Sequence, residues 1–348
     1  MTFLDYEFLQ VTWFLLWALL WAVYFVLDGF DLGMGTLLPF IAKNDFEKRV
    51  IYNAGGPFWD GNEVWLITAG GVTFAAFPLA YAVMFSALYA PLLLLLFALI
   101  FRAVSYEYRN KIDSPLWRSI ADVCQFLGSF LPALLLGVAF ANLFQGIPID
   151  EEGIYYGNIL SLLNIYGLLG GVFFVLMFCV HGALYLSMRS VGDLHLRAVA
   201  AARGLWPFLV AVAVAFLMAT GAYTNLYDNY MRTPALMLVP VCAVVFLLFV
   251  GFMLRAGRRG TAFAFSALFI VLVTFFGVLG MFPAIIPSNL TPEASVTIQK
   301  AASSELTLTI MLAVAAVCVP VVIAYQCWAL WLFSHKITEE SLKDRHTY

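Results

Sequence analysis

The chain has 348 residues, of which 63% are hydrophobic and only 11% charged, with a mean hydropathy of +0.93. A soluble domain carries roughly 25% charged residues, so this composition excludes a soluble globular protein. The formal net charge is −3, and no nucleic acid is expected among the partners. The five cysteines all lie in apolar runs without a C-x-x-C pair, which excludes a disulfide framework, a zinc site and covalent haem attachment.

Apolar segments long enough to cross a bilayer follow one another along the whole chain. Spanning takes about 20 residues as helix, and helices satisfy their own backbone groups in lipid. The uncharged run from 64 to 101 is too long for one span, so we divide it at Phe77-Pro78 into a hairpin. We therefore predict an all-α polytopic membrane protein with nine spans, at about 11–41, 64–79, 82–101, 121–144, 160–188, 205–224, 235–254, 262–287 and 306–334.

Basic residues are segregated between alternate loops of this arrangement. With the N-terminus outside and the C-terminus in the cytoplasm, sixteen of the eighteen lysines and arginines fall in inner loops or the tail. Only Arg232 and Lys300 fall outside. The positive-inside rule expects this distribution, and merging the hairpin into one span would destroy it. We treat residues 1–348 as a single membrane domain, with N-terminal helices at about 11–144, C-terminal helices at about 160–334 and a short cytoplasmic tail at 335–348.

Two carboxylates occur near the inner end of the first span. Asp28 and Asp31 share one helix face with Tyr24 and Gly35, at spacings of three and four residues. Two interpretations remain open. The carboxylates either lie solvated at the inner interface, or form an acid pair on a proton or ion path, which is the default for charges inside a bilayer.

The stretch Pro57-Phe58-Trp59-Asp60-Gly61-Asn62-Glu63 begins the second span. Two compatible interpretations apply to Asp60 and Glu63: they cap this helix, as a variant of the capping box, and they exchange protons at its N-terminus. Arg102, at the inner end of the third span, is either a membrane-surface anchor with an exposed ion pair or a weaker member of the same site. His181 is the one histidine within a span, and it either ligates haem or packs through hydrogen bonds.

These motifs resemble subunit II of the cytochrome bd-type quinol oxidases. The resemblance rests on the run from Pro57 to Gly71 with Phe74–Pro78, on Asp28-Gly29-Phe30-Asp31, and on Phe101-Arg102 through Lys111. Shorter matches continue it to the C-terminus. It implies two four-helix bundles plus one peripheral helix, in the bacterial inner membrane. It also implies membership of an enzyme that oxidises quinol and reduces dioxygen to water.

The resemblance further implies a division of labour. Two b-type haems and haem d are expected in subunit I, the main partner, and no cofactor or metal is expected on this chain. A small single-helix subunit and membrane lipids are the other expected partners. Asp60, Asp28 and Asp31 become candidates for a cytoplasmic proton-uptake route, with Glu63 and Arg102 as weaker ones. The alternatives are a proton- or cation-coupled transporter, which lacks the expected repeats, and a scaffold with no proton role.

Overall fold

The computed structural model describes residues 5–343, and the last five residues of the predicted tail lie outside that range. Within it the chain forms thirteen α-helices and one two-stranded sheet. The first half contains α1 (Tyr6–Ile41), α2 (Asp45–Gly55), α3 (Trp59–Ala76), α4 (Pro78–Ala87), α5 (Tyr89–Tyr108) and α6 (Pro115–Gln145). The second half contains α7 (Ile165–Arg189), α8 (Gly192–Tyr223), α9 (Leu226–Arg232), α10 (Leu238–Arg255), α11 (Arg259–Met281), β1 (Ala284–Ile286), β2 (Val296–Thr297), α12 (Ile298–Ala301) and α13 (Glu305–Leu332).

Eight helices of the described range are long and apolar enough to cross a membrane, namely α1, α5, α6, α7, α8, α10, α11 and α13. Helix α3, which corresponds to the ninth predicted span, is 18 residues and about 27 Å long but is not among these helices, because its first turns carry Asp60, Asn62 and Glu63. The predicted hairpin is present because α3 ends at Ala76 and α4 begins at Pro78. The rings of Phe74 and Tyr81 stack edge to face at 5.1 Å, so α4 returns alongside α3. This architecture agrees with the predicted all-α polytopic fold.

Helix α1 lies at the centre, against α3 and α6 on one side and α7 and α11 on the other. The helices up to α6 form one bundle, and α7, α8, α10 and α11 form the second. Small residues let the bundles meet closely. A side chain at Gly33 would overlap the backbone of Phe178, and one at Gly182 would meet the backbone of Met34. By contrast, no atom lies within 4 Å of a Cβ placed on Gly71, so this glycine is not required for close packing within the chain.

Helix α13 is the peripheral helix of the fold. Only 6% of its most apolar window is buried, and its neighbours are α1 and α3. Ser304 caps it by accepting a hydrogen bond from the Thr307 N–H at 3.2 Å, with Glu305 in the first turn, as the sequence suggests. Most of its apolar surface therefore faces away from the chain.

Several short elements were not predicted from the sequence. The apolar run 262–287 ends as helix at Met281, and its remainder contributes β1, which pairs antiparallel with β2. Helix α2 follows α1 directly and is amphipathic, with Val50, Ile51 and Tyr52 buried. Its side chain cap is Asn44, which accepts a hydrogen bond from the Glu47 N–H. Helix α2 thus packs beside the C-terminal end of α1 and leads the chain into α3.

Candidate functional site

A fully enclosed arginine holds two carboxylates together between α1, α3 and α5. The Arg102 guanidinium donates from Nη2 to Asp28 at 2.7 Å and to Glu63 at 2.6 Å. The side chains of Arg102 and Asp28 are 0% exposed, and that of Glu63 is 19% exposed. A buried charge needs such compensation, because transfer of an isolated ion from water is prohibitively unfavourable. The alternative of an exposed surface anchor is therefore wrong for Arg102.

The second aspartate of α1 is bound by an amide rather than by the arginine. Asn62 donates from Nδ2 to Asp31 Oδ2 at 2.8 Å, and its Oδ1 accepts from Gln326 Nε2 at 2.9 Å. Asp31 and Asn62 are both 0% exposed. Gln326 belongs to α13, so the peripheral helix is joined to the buried acid through two hydrogen bonds in series.

Asp60 lies apart from these acids, at the edge of a polar cleft. The cleft has a volume of about 320 Å³ and lies between the α2–α3 turn, the end of α5 and the inner half of α13. Its lining includes Asp60, Glu107 and Gln326. Asp60 is exposed, and no hydrogen bond or ion pair joins it to Asp28 or Asp31 within residues 5–343. Gln326 therefore faces the cleft while it also contacts the chain of hydrogen bonds that ends at Asp31.

The capping interpretation of Asp60 and Glu63 is wrong. Helix α3 begins at Trp59 after an N-cap at Phe58 that makes no side-chain cap bond. Asp60 lies in the first turn with its side chain exposed, and Glu63 binds Arg102 instead. A carboxylate in the first turn is still favoured by the helix dipole.

The close approach of α2 to Asp31 depends on a glycine. A Cβ on Gly55 would lie 2.6 Å from Asp31 Oδ1 and closer still to the Tyr106 hydroxyl. Any larger residue would displace one of these groups. The turn after Gly55 carries Pro57 and Phe58 into α3 and so sets the position of Asn62.

Polar side chains continue from the cluster towards α6. Ser105 donates to Gln125 Oε1 at 2.6 Å, and both residues are 1% exposed. Several enclosed polar atoms in this region have no protein partner among the described residues: Tyr24 Oη, Asp28 Oδ2, Asp31 Oδ1, Arg102 Nε, Arg102 Nη1 and Ser129 Oγ. Buried polar groups are normally paired, and ordered water is the usual partner where protein supplies none.

A second ionic group lies at the inner ends of α5 and α6. Arg109, 1% exposed, binds Asp122 at 2.7 Å and Asp45 at 2.7 Å, and Lys48 binds Asp122 at 2.9 Å. Burial alone would raise the pKa of the Asp45 carboxyl, but the hydrogen bond and charge of Arg109 hold that pKa below its ordinary value. These pairs fix α2 against the bundle.

His181 is enclosed between α1, α7 and α11. Nδ1 lies 3.0 Å from Ser266 Oγ, and Nε2 lies 3.0 Å from the carbonyl oxygen of Val26. Its ring stacks on that of Phe263 with centroids 4.4 Å apart. Both ring nitrogens are therefore engaged within the protein, as the packing interpretation requires.

Sequence reasoning did not find Gln326 or Gln125. Gln326 is the one amide in the last span and Gln125 is one of few polar residues in the fourth, and this was the available signal, because an amide at span depth needs a partner. Asn62 stands inside the motif but was given no role of its own. Of the predicted residues, Arg102 joins Asp28 and Glu63 directly, Asp31 is connected through Asn62, and Asp60 stands outside the cluster.

Fold and site together define a polytopic helical membrane protein with an enclosed ionic cluster, adjoined on one face by a polar cleft. The chain belongs to the cytochrome bd terminal oxidase subunit II family, whose model matches residues 9–333.

Relatives match over nearly the full length of the chain. It is 39% identical to "Cytochrome bd-I ubiquinol oxidase subunit 2" of Escherichia coli K12, over 99% of both chains. It is 33% identical to "Cytochrome bd ubiquinol oxidase subunit 2" of Bacillus subtilis, over 97% of this chain and 98% of the relative. The bd oxidase structure from Geobacillus thermodenitrificans matches with a TM-score of 0.72 at 17% identity, over 93% of this chain and 98% of that one. This last likeness concerns the fold alone.

Family membership carries several consequences. The chain is a subunit of a quinol oxidase complex in the bacterial inner membrane, and that complex contains haems and a subunit I. The transporter alternative is set aside, because the family is one of respiratory oxidoreductases.

Proposed function

We propose that this chain is the haem-free subunit of its oxidase and supplies protons from the cytoplasm for the reduction of dioxygen to water by quinol. The proposed orientation is N-terminus outside and C-terminus in the cytoplasm, with residues 1–348 acting as one membrane domain. In that orientation the cleft beside Asp60 opens to the cytoplasm. The haems are assigned to subunit I, and a small third subunit and lipids complete the proposed complex.

One observation carries the proposal: a polar connection from an open cleft to an enclosed acid cluster. Asp60 and Gln326 line the cleft, and Gln326 is bonded to Asn62 and through it to Asp31. Asp28, Arg102 and Glu63 lie on the adjoining helices. Asp31, Asn62, Asp28 and Arg102 are fully buried, and intramembrane acids of this kind are characteristic of proton relays.

The buried polar atoms that have no protein partner suggest how a proton passes between carboxylates that do not contact each other. The amides of Asn62 and Gln326 fix the geometry, since an amide donates and accepts without readily changing its protonation. Water bound at Tyr24 Oη, Asp28 Oδ2 and Asp31 Oδ1 would complete a path between carboxylates. In the proposal Asp60 takes up protons from the cytoplasm, and the amides of Asn62 and Gln326 fix the positions of the groups along the route. The Arg102 cluster then passes protons towards subunit I.

The outer half of α1 supports delivery to the partner rather than passage across the membrane. Beyond Tyr24 the same helix face carries the buried residues Trp21, Trp17 and Trp13. The indole N–H only donates and cannot accept a proton, so these residues offer no acceptor for onward transfer. Trp17 donates to Thr73 at 2.9 Å and Trp13 to the carbonyl of Leu308 at 3.0 Å, which fixes the rings.

The absence of haem ligation is supported by the residues themselves. No group of three or more His, Cys, Asp or Glu side chains between residues 5 and 343 is arranged to hold a metal ion. His181 has both nitrogens in hydrogen bonds, so neither is free for a haem iron. This supports the proposed assignment of the haems to subunit I.

Replacing single carboxylates in the assembled oxidase tests the proton role. Asp60→Asn and Asp31→Asn should slow quinol-dependent oxygen consumption on the order of tenfold, less than the roughly 10²–10⁴-fold effect of a direct general acid, because water partly replaces a relay carboxylate. Proton uptake in proteoliposomes should fall by the same factor. Haem absorption per complex should stay at the wild-type level.

Glu152→Gln, in the exposed loop before α7, is the matched control and should leave both rates unchanged. Unchanged turnover and proton uptake in both aspartate variants would refute the proton role. Loss of complex and haem together would instead favour the scaffold alternative.

A further inference from the structure

A third buried arginine, Arg189, differs from Arg102 and Arg109 because it has no carboxylate partner among residues 5–343. Arg189 ends α7 and is 4% exposed. Its Nε and Nη1 are enclosed, and neither makes a hydrogen bond. No ion pair joins its guanidinium to a carboxylate within residues 5–343, and the guanidinium carbon lies 5.9 Å from the centre of the Tyr185 ring. A buried arginine without an anion is strongly unfavourable, so an anion from outside the described chain is expected.

The segment after α13 covers this arginine. The Ile337 N–H donates to the Arg189 carbonyl oxygen at 2.8 Å, and Ile337 is 4% exposed. The segment thus packs against the backbone of Arg189, and the arginine as a whole is almost fully shielded from water. A charge-assisted contact formed there is stronger than one on an open surface, because the local dielectric constant is low.

The packing of α7 against α11 places a second arginine, Arg259, at the same height along the helices as Arg189. His181 meets Ser266, Tyr185 meets Phe263 and Met188 meets Gly260, so the helices run antiparallel. Arg189 is therefore opposite Arg259, the first residue of α11. Arg259 Nε is also enclosed without a partner.

The surroundings identify the chemical class of the anion. Both arginines stand at the ends of membrane spans, where lipid headgroups lie. From this level an exposed stripe of Gly260, Ala264 and Leu268 runs up the lipid side of α11. Two guanidinium groups can donate hydrogen bonds to the oxygens of one phosphate, and the apolar stripe offers a surface on which an acyl chain can pack.

We propose that Arg189 and Arg259 bind the phosphate of an anionic phospholipid, whose acyl chain follows the stripe on α11. The site lies at the inner ends of α7 and α11, under the segment that contains Ile337. It is independent of the proton route proposed above.

Lipid titration of the purified, delipidated oxidase tests the site. Phosphatidylglycerol should raise the Tm of the wild-type complex by several degrees more than phosphatidylcholine does, because a ligand that binds the folded state stabilises it. Arg189→Gln should need about tenfold more phosphatidylglycerol for half the effect, the scale of one lost charge-assisted hydrogen bond. Native mass spectrometry should show phosphatidylglycerol retained by the wild type and lost from the variant.

Arg232→Gln, an exposed arginine at the end of α9, is the control and should titrate like the wild type. If Arg189→Gln does not assemble, Arg259→Gln gives the same comparison with a less buried residue. Equal titration of wild type and both variants would overturn the proposal. So would inorganic phosphate that reproduces the effect.

Discussion

At the scale of single residues, Arg102 determines whether Asp28 and Glu63 can share one enclosed space. The two carboxylates bind the same nitrogen of the guanidinium, at 2.7 and 2.6 Å. Without the cation, two acidic groups would face each other away from water. Arg102 therefore has a structural role that is separable from proton transfer, since it does not need to release a proton itself.

Arg102→Met should destabilise the subunit by about 3–5 kcal/mol, the range found when one partner of a buried ion pair is removed. The double variant Arg102→Met/Asp28→Asn should recover part of this loss, because fewer uncompensated charges remain. Thermal unfolding of the purified oxidase measures both. Lys111→Met, at an ion-paired lysine whose side chain is 62% exposed, is the control. A double variant as unstable as the single one would contradict this account of Arg102.

At the scale of elements, α2 and α13 form the walls around the site without belonging to the bundle core. Helix α2 is held by the Asp45–Arg109 pair and approaches Asp31 at Gly55. Helix α13 is mostly exposed and reaches the cluster through Gln326. Neither role was apparent from hydropathy, because an 11-residue amphipathic helix and one amide in an apolar span leave its profile almost unchanged.

The docking of α2 should depend on pH. The pKa of Asp45 is held below its ordinary value, so its stabilising contribution is complete above about pH 3.9 and is lost as pH falls through the lower folded-state pKa. The effect should stay under about 1 kcal/mol, because the Asp45 side chain is 50% exposed and screened by solvent.

Hydrogen exchange in α2, corrected for intrinsic rates, should therefore rise between pH 5 and pH 3 in the wild type. Asp45→Asn should raise exchange already at pH 7 and show a smaller change on acidification. Asp113→Asn, in an ion pair whose carboxylate side chain is 95% exposed, is the control. An identical pH response in wild type and Asp45→Asn would exclude this pair as the source.

Loss of the Gln326 amide should loosen α13. Gln326→Leu removes the hydrogen bond to Asn62, worth about 1 kcal/mol, and leaves Asn62 Oδ1 without a protein partner. Exchange in the inner half of α13 should increase, and oxygen consumption should fall less than in Asp31→Asn. Cys327→Ala, at the exposed neighbouring position, should change neither. Normal exchange in Gln326→Leu would show that α13 is held by other contacts.

At the scale of the whole molecule, the distribution of basic residues and the position of the cleft both bear on how the chain is oriented in the membrane. The cleft, α2 and the segment after α13 lie on the face that carries most of the basic residues. A proton route from the cytoplasm requires that this face be the inner one. Orientation is thus the condition on which the direction of proton flow depends.

Cysteine labelling tests that orientation. An impermeant maleimide should label Glu152→Cys in intact spheroplasts, whereas Glu340→Cys should react only after the membrane is opened. Both positions are exposed, so access to the reagent is limited by the membrane alone. The parent chain with its five cysteines provides the background. Labelling of Glu340→Cys in intact spheroplasts would place the C-terminal segment outside and contradict the proposed orientation, and with it proton uptake from the cytoplasm.

The sequence by itself determined the fold class and the family, because spans of apolar residues and the Trp59–Glu63 motif are local properties of the chain. It also identified all three members of the Arg102 cluster as candidates. Only the tertiary structure decided that Arg102 is enclosed, that Asp60 is separated from Asp28 and Asp31, and that Gln326 connects to Asp31. These facts depend on contacts between helices up to 264 residues apart in the chain, and no local pattern encodes which faces meet.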